Sequence, residues 1–476
     1  MPIGALYDDN LLKIFKFYVD EIYHKASLHQ SSPWHQTRHV DAWHTLVHVC
    51  RQWRYVVFAS PRWLHLELLC TERSSVIKMP NVWLALPIVI YVSGNPRCEW
   101  PNHSGVTNVI SALKRHSLVC RINIWGVPNS VLESTAMKKR FPELTDLALH
   151  SNENNAPVIT DSFLGGSSPR LRSLQFTGIS FPFPALGKLL LSATDLVILH
   201  LLDILDSRYI SPELVVTSLS ALIRLQYLSI HFRSPRSYAD RELRHLSASE
   251  RLVLLSLTKF DFKGDSEYLE DFVGRIDAPA LDGVAMAFFN QLVFDPSLLH
   301  DFFSRTDVLQ EPNRTVVSVS ETHIKLTLSR YEGTTDCHML EVWIPSTVAE
   351  SQLSSLAQFC STCLPPLLTL EFLGMDGGSS LWEGPTDMDS APWLELLPSF
   401  VTVEDLASSK FLVQYVAPTL RELTGEGFPE VLPALRHIFV DWPDPVGPAL
   451  EAIGQSATVR LLSGYPVAIK PKNTVR

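Results

Sequence analysis

Cys360-Ser361-Thr362-Cys363 is the one Cys-x-x-Cys of the chain, and Cys337-His338 offers two further ligand types for a zinc site. The spacing argues against that site. A second close pair is missing and Pro365-Pro366 follow directly, while a thioredoxin-like redox pair belongs at a strand-to-helix junction of a compact domain. Ordinary buried thiols are the expectation. Histidines 24, 29, 35, 39, 44 and 48 form a second concentration of ligating side chains, and His44 and His48 share a helix face. Thr45 stands where a zincin needs its glutamate base, so solvated or partner-facing imidazoles are expected instead. No GxGxxG, GxxxxGK or GxSxG occurs, and Gly165-Gly166-Ser167-Ser168-Pro169 reads as a turn before a strand, not a phosphate cradle. Carboxylates are too dispersed to nominate an acid/base pair. The expectation is a chain without catalytic residues, cofactor or metal, which acts by binding.

The elements around these residues are constrained by composition. The chain has 476 residues, 46% hydrophobic and 19% charged, and 69 of them are leucine. That is too long for one ordinary compact core and too apolar for disorder. Thirty-two prolines argue against long uninterrupted helices, which leaves a repeat architecture. A net charge of −10 supplies no general field for phosphate backbones, so nucleic acid is not the expected ligand. Seven scattered cysteines read as reduced thiols of an intracellular protein. The first ten residues have no signal-peptide pattern, and the longest apolar run, Val82 to Val92, is about half of the ~20 residues that cross a bilayer, so no membrane is expected either.

Near the N-terminus, Leu11, Ile14, Phe15, Tyr18 and Ile22 fall at i, i+3, i+4, i+7 and i+11, which predicts one face of a helix. Leu46, Val49, Cys50, Trp53 and Val57 repeat the spacing for a second helix, with polar Ser27 to Arg38 as the loop between them. Ser60-Pro61 stops it, because proline lacks the N–H and disfavours a helical residue before it. Two short helices cannot bury Trp43, Trp53, Trp63 and these aliphatics alone, so some should face a partner.

These residues resemble the F-box. The family's Leu-Pro-Pro-Glu-Leu-Leu, two residues, Ile-Phe corresponds to Leu6-Tyr7-Asp8-Asp9-Asn10-Leu11-Leu12-Lys13-Ile14-Phe15, with Tyr7 and Asp8 in place of the prolines. Its second signature corresponds to Val49-Cys50-Arg51-Gln52-Trp53-Arg54-Tyr55-Val56 and Ser60-Pro61-Arg62-Trp63, with Trp63-Leu64 reversing the usual order. The resemblance implies docking on a Skp-type adaptor, and through it a cullin, by Leu6, Leu11, Ile14, Phe15, Leu46, Val49, Cys50, Trp53, Val56 and Trp63. A capping role for Trp53 and Trp63 at the end of a repeat array is compatible with docking.

Further on, the hexad Leu-x-x-apolar-x-apolar recurs. It begins at Leu144, Leu171, Leu196, Leu225, Leu252 and Leu281, with steps of 27, 25, 29, 27 and 29 residues. These match a leucine-rich repeat, in which each hexad makes a short strand and the following segment a covering helix. Weaker hexads begin at Ala85 and Val119 upstream and at Leu367 and Leu435 downstream, with a looser unit around Phe400 to Val403. Between Arg305 and Cys363 the register breaks, and the alternations Ile324-Leu326-Leu328 and Leu340-Val342-Ile344 predict an inserted strand pair. Asn152 is the one asparagine in the position that follows a regular hexad.

The expected fold is therefore α/β: a small N-terminal helical F-box, then a curved leucine-rich-repeat solenoid of short parallel strands and covering helices, similar to fungal F-box proteins with divergent repeats. Residues 1–70 would be the F-box, 71–140 a linker and first irregular repeats, 141–300 regular repeats, 301–365 the inserted strand pair, and 366–476 irregular repeats and a cap. The resemblance implies a non-catalytic substrate receptor of a Skp–cullin–F-box ubiquitin ligase, cytoplasmic or nuclear, with an unidentified protein target. The alternative is a leucine-rich scaffold whose F-box has degenerated.

Overall fold

The computed structural model describes residues 7–27, 42–60, 63–64, 66–73, 86–93, 103–151, 157–205, 210–235, 251–289, 297–306, 309, 311–320, 322–332, 335–345, 349–377, 391–409, 412–422, 431–440 and 448–471. Leu6, Asn152, Pro61 and most of the segment from Ser27 to Arg38 lie outside them. Two compact units are formed, residues 1–210 with 217–225, and residues 211–216 with 226–476.

The first unit opens with three helices, α1 (Asp8–Ser27), α2 (Ala42–Val47) and α3 (Arg51–Ala59). Six parallel strands follow: β1 (Leu68–Cys70), β2 (Ile88–Val92), β3 (Val119–Trp125), β4 (Asp146–His150), β5 (Ser173–Thr177) and β6 (Ile198–Ile204). Helices α4 (His103–Leu113), α5 (Asn129–Leu132) and α6 (Phe183–Ser192) and a 3₁₀ turn at Phe163–Gly166 occupy the crossovers, as parallel pairing requires. The hexad residues stack in rows. Ile122, Leu147, Leu174 and Leu199 are register partners, as are Ile124, Leu149, Phe176 and Leu201, and all are buried. Each such side chain contributes roughly 1.5–3 kcal/mol by leaving water, less the cost of ordering it. Before β4 and β5 one carbonyl also takes two amides of the next repeat. The Thr145 carbonyl accepts from the N–H groups of Arg172 (2.7 Å) and Ser173 (3.1 Å), and that of Arg172 from Val197 (2.8 Å) and Ile198 (3.0 Å). The glycine turn is where it was expected: Gly165 and Gly166 have φ of 63° and 69°.

Helix α7 (Pro212–Leu219) has residues in both units, its first part in the second and its last part in the first, and the chain continues in the second from Gln226. In the second unit β7 (Tyr227–Phe232), β9 (Lys259–Gly264) and β11 (Gly283–Phe288) are parallel neighbours, while β8 (Leu252–Val253) pairs with β10 (Ile276–Asp277) in a separate two-stranded sheet. Helices α8 (Ser266–Val273) and α9 (Ser297–Arg305) precede and follow β11. The hexad expected at Leu252 is therefore displaced. Its successor, Leu257-x-x-Phe260-x-Phe262, stands in the main ladder with Phe260 beside Leu228 and Phe262 beside Ile230, and Leu255 is exposed.

The predicted strand pair is part of a three-stranded meander, β12 (Arg314–Val319), β13 (His323–Glu332) and β14 (Thr335–Pro345). Ile324, Leu326 and Leu328 do face Ile344, Val342 and Leu340. The third strand preserves polarity: β14 runs parallel to β11, β13 antiparallel to both neighbours, and β12 parallel to β15 (Phe372–Gly377). Two strands alone would have left the next repeat antiparallel. Parallel pairing then continues through β16 (Asp405–Ser408), β17 (His437–Val440) and β18 (Ala468–Pro471), with α10 (Ala349–Thr362), α11 (Ala391–Leu396), α12 (Val413–Glu422) and α13 (Pro448–Leu462) between strands. Ile438 and Val440 pair with Leu406 and Ser408, and these with Leu373 and Met375. The downstream hexads thus start at Leu370, Val403 and Leu435, and the one placed at Leu367 is off by three residues. Upstream, Ile90 and Val92 pair with Ile122 and Ile124 across a bulge at Ile88, so that hexad starts at Pro87 and not Ala85.

Candidate interaction surfaces

The N-terminal helices build their own core. Leu11, Phe15 and Val19, spaced by four, form the buried stripe of α1, which packs on α2 and α3, whose own buried residues include Leu46 and Val47, and Val56 and Val57. The Phe15 and Trp53 ring centroids are 4.7 Å apart, Trp43 is edge-on to Phe58 at 5.8 Å, and the Trp43 indole N–H donates to the Glu67 carbonyl (3.2 Å). The second predicted helix is two helices. Cys50 is extended (φ −156°) and begins α3, its Sγ accepting from the Trp53 N–H at 3.5 Å, while Arg54 Nε donates to the Val47 carbonyl (3.0 Å) across the break. That guanidinium satisfies an orphan carbonyl at the end of α2, where the helix dipole favours a cation.

This geometry sorts the ten residues expected to contact an adaptor. Leu11, Phe15, Leu46 and Val56 are buried inside the unit, Trp53 is half-buried against Phe15, and Leu6 lies outside the described residues. Ile14, Val49, Cys50 and Trp63 are exposed, Ile14 and Val49 at 50% and 55%. Ile14, placed by its spacing on the same helix face as Leu11 and Phe15, is exposed while those two are buried. Phe17 and Tyr55, each 71% exposed, were missed because neither falls on the periodic face. Their signal was large aromatics on otherwise polar helix flanks. Tyr55 and Phe58, with Arg51 and Arg54, line an open hollow of about 490 Å³ on the outer side of α3.

A second surface comes from the strand residues that alternate with the buried rows. In the first unit Trp125 stacks on His150 at 3.9 Å and 9°. His150 is buried, its Nδ1 lies 3.0 Å from Thr177 Oγ1, its Nε2 has no partner among the described residues, and burial lowers its pKa to about 4. Glu67 pairs with Arg121, and burial with that carboxylate pushes the Cys120 thiol up to about 12. In the second unit Lys325 pairs with Glu341 (2.9 Å) over the Trp343 ring, and His323 stacks on the same indole at 4.9 Å. Desolvation and Lys325 lower the His323 pKa. His437 pairs with Asp405 at 2.7 Å. Ser229, His231 and Asp261 also converge, but Ser229 Oγ (3.2 Å) and Asp261 (2.9 Å) meet the same imidazole atom, Nε2. A nucleophilic triad needs the carboxylate on the other nitrogen, so the cluster is a polar contact and not a charge-oriented base.

The cysteine pair is sealed. Cys360 and Cys363 are buried at the end of α10, burial raises both thiol pKa values, that of Cys363 to about 12, and Cys337 is exposed on β14. Among the described residues no group of three or more metal-ligating side chains converges, and no helix is long and apolar enough to cross a membrane. No family model matches the chain, and no curated protein sequence matches it either.

Proposed function

We propose that the chain is a substrate-recognition subunit of a Skp–cullin–F-box ubiquitin ligase, with α1–α3 docking the adaptor and a leucine-rich-repeat array holding a protein target. One observation carries the reading: a small helical unit whose core is already filled leaves Ile14, Phe17, Val49, Tyr55 and Trp63 on its outside. Large apolar side chains grouped in so small a unit mark an interaction site. The F-box likeness of the same segment supplies the identity of the partner. The adaptor-contacting set is accordingly Ile14, Val49, Cys50 and Trp63, with Phe17 and Tyr55 added. Leu11, Phe15, Leu46, Val56 and Trp53 hold the helices that present them.

Function is then proximity and not chemistry: a bound target's lysines are held at high effective concentration near a conjugating enzyme. The inward position of five expected contact residues, with both prolines of the first motif absent, favours a second reading, a repeat scaffold without ligase role. Co-expression of the full chain with a Skp-type adaptor separates the two. The ligase reading predicts capture of the adaptor by the wild-type chain and its loss with Ile14→Asp and Phe17→Asp together. A folded wild-type chain that captures no adaptor would leave the scaffold.

A further inference from the structure

On the open strand face of the second unit Lys325 has Glu341 and Lys259 has Asp282, while the Asp261 and Asp405 carboxylates each meet an imidazole, His231 and His437. Arg314 is different. Its guanidinium lies between two rings, 4.4 Å from the Phe372 centroid and 5.7 Å from that of Tyr331, and among the described residues it makes no ion pair or hydrogen bond. Its Nε is buried without an acceptor. Asn313 fixes the flanking strand, its amide bonded to both the N–H (2.8 Å) and the carbonyl (3.1 Å) of Tyr331. The group opens on a hollow of about 170 Å³ that Glu371, Asp405 and Phe439 also line. A planar cation held by aromatic faces with its edge donors unspent is preorganised for a planar two-oxygen acceptor.

We infer that this hollow receives one carboxylate side chain of an extended target polypeptide, bound through Arg314. The inference rests on the reading of the repeat array as the target-binding part. The hollow is below the usual size of a small-molecule site and suits a single side chain. Charge sets the limit: the lining places one guanidinium with Glu371, which makes no ion pair among the described residues, and with Asp405, which His437 holds, so repulsion from these two carboxylates weighs twice as heavily on a dianionic phosphate as on a single carboxylate.

The test is an NMR titration of the Arg314 Nε–Hε signal in the full chain, assigned by its loss in Arg314→Lys. The probes are N-acetylglutamate N-methylamide, the corresponding glutamine compound and the phosphoserine compound. A saturable shift is expected with the glutamate compound, none with the glutamine compound, and weaker binding of the phosphoserine compound. Glu371→Gln, at an exposed position outside the aromatic cradle, should tighten glutamate binding about three- to fivefold. An unmoved Arg314 signal, equal response to glutamate and glutamine compounds, tighter phosphate binding, or no effect of Glu371→Gln would each overturn the assignment. Adaptor capture reads α1–α3 alone, so its failure leaves this titration standing, and the reverse holds.

Discussion

Acidification should destabilise the first unit through His150. The ring is buried under Trp125, Nδ1 is engaged by Thr177 and Nε2 has no acceptor among the described residues, so protonation would place a charge on a buried ring without a compensating hydrogen bond there. Its pKa of about 4 in the fold stands against 6.5 in the unfolded chain. As pH falls below 6.5 the unfolded chain takes the proton first. The imidazole's contribution is therefore intact above that value and is lost progressively towards pH 4. Linkage gives a loss of about 2 kcal/mol between pH 7 and pH 5, rising to about 3 kcal/mol once both states are protonated. The control is His150→Phe, which keeps a ring against Trp125 but cannot titrate; the Thr177 hydroxyl then loses its partner at a pH-independent cost of about 1 kcal/mol. Urea unfolding from pH 7 to pH 5 should show a flatter slope for the variant, and the wild-type His150 ring resonances should titrate near pH 4. A midpoint near 6.5, or equal slopes for the two proteins, would refute the reasoning.

Three further outcomes can be checked. Leu257→Ala should cost about 2–5 kcal/mol in urea melts and Leu255→Ser less than about 0.5 kcal/mol, because one is fully buried and the other 71% exposed; equal costs would restore the hexad at Leu252. Gly165→Ala should lower stability by about 1–3 kcal/mol, since its φ of 63° disfavours a side chain and a Cβ would meet Arg140 Cγ at 2.7 Å; a neutral result would mean that the turn relaxes. A thiol reagent at pH 8 should modify Cys50 and Cys337 quickly and Cys360 and Cys363 only on unfolding; mass mapping of a fast adduct on Cys363 would contradict its burial.

The strands were largely legible because a buried row needs a large apolar residue at every repeat. The hexads at Leu144, Leu171, Leu196, Leu225, Leu281 and Leu435 all fall on ladder strands. Periodicity failed where two hexads overlap. Leu252-Leu255-Leu257 and Leu257-Phe260-Phe262 fit the pattern equally, and the deciding feature was the alternation of Lys259, Asp261 and Lys263 with the two phenylalanines, which marks a strand open on one face. The same signal, Thr315-Val317-Val319 on β12, announced the third strand of the meander. The break at Cys50 carried no glycine or proline, and the inward turn of Trp53 depends on Phe15, 38 positions earlier in the chain. The Arg314 cradle is non-local in the same way, since its rings come from β13 and β15.

Adaptor binding by α1–α3, the proposed role of these helices, is measured by calorimetric titration of the full chain with a purified Skp-type adaptor. A one-to-one complex at micromolar concentrations is expected, lost with Ile14→Asp and Phe17→Asp while helical circular dichroism is unchanged. A folded wild-type chain that gives no binding heat and no comigrating complex, or a double variant that binds as tightly as the wild type, would contradict it.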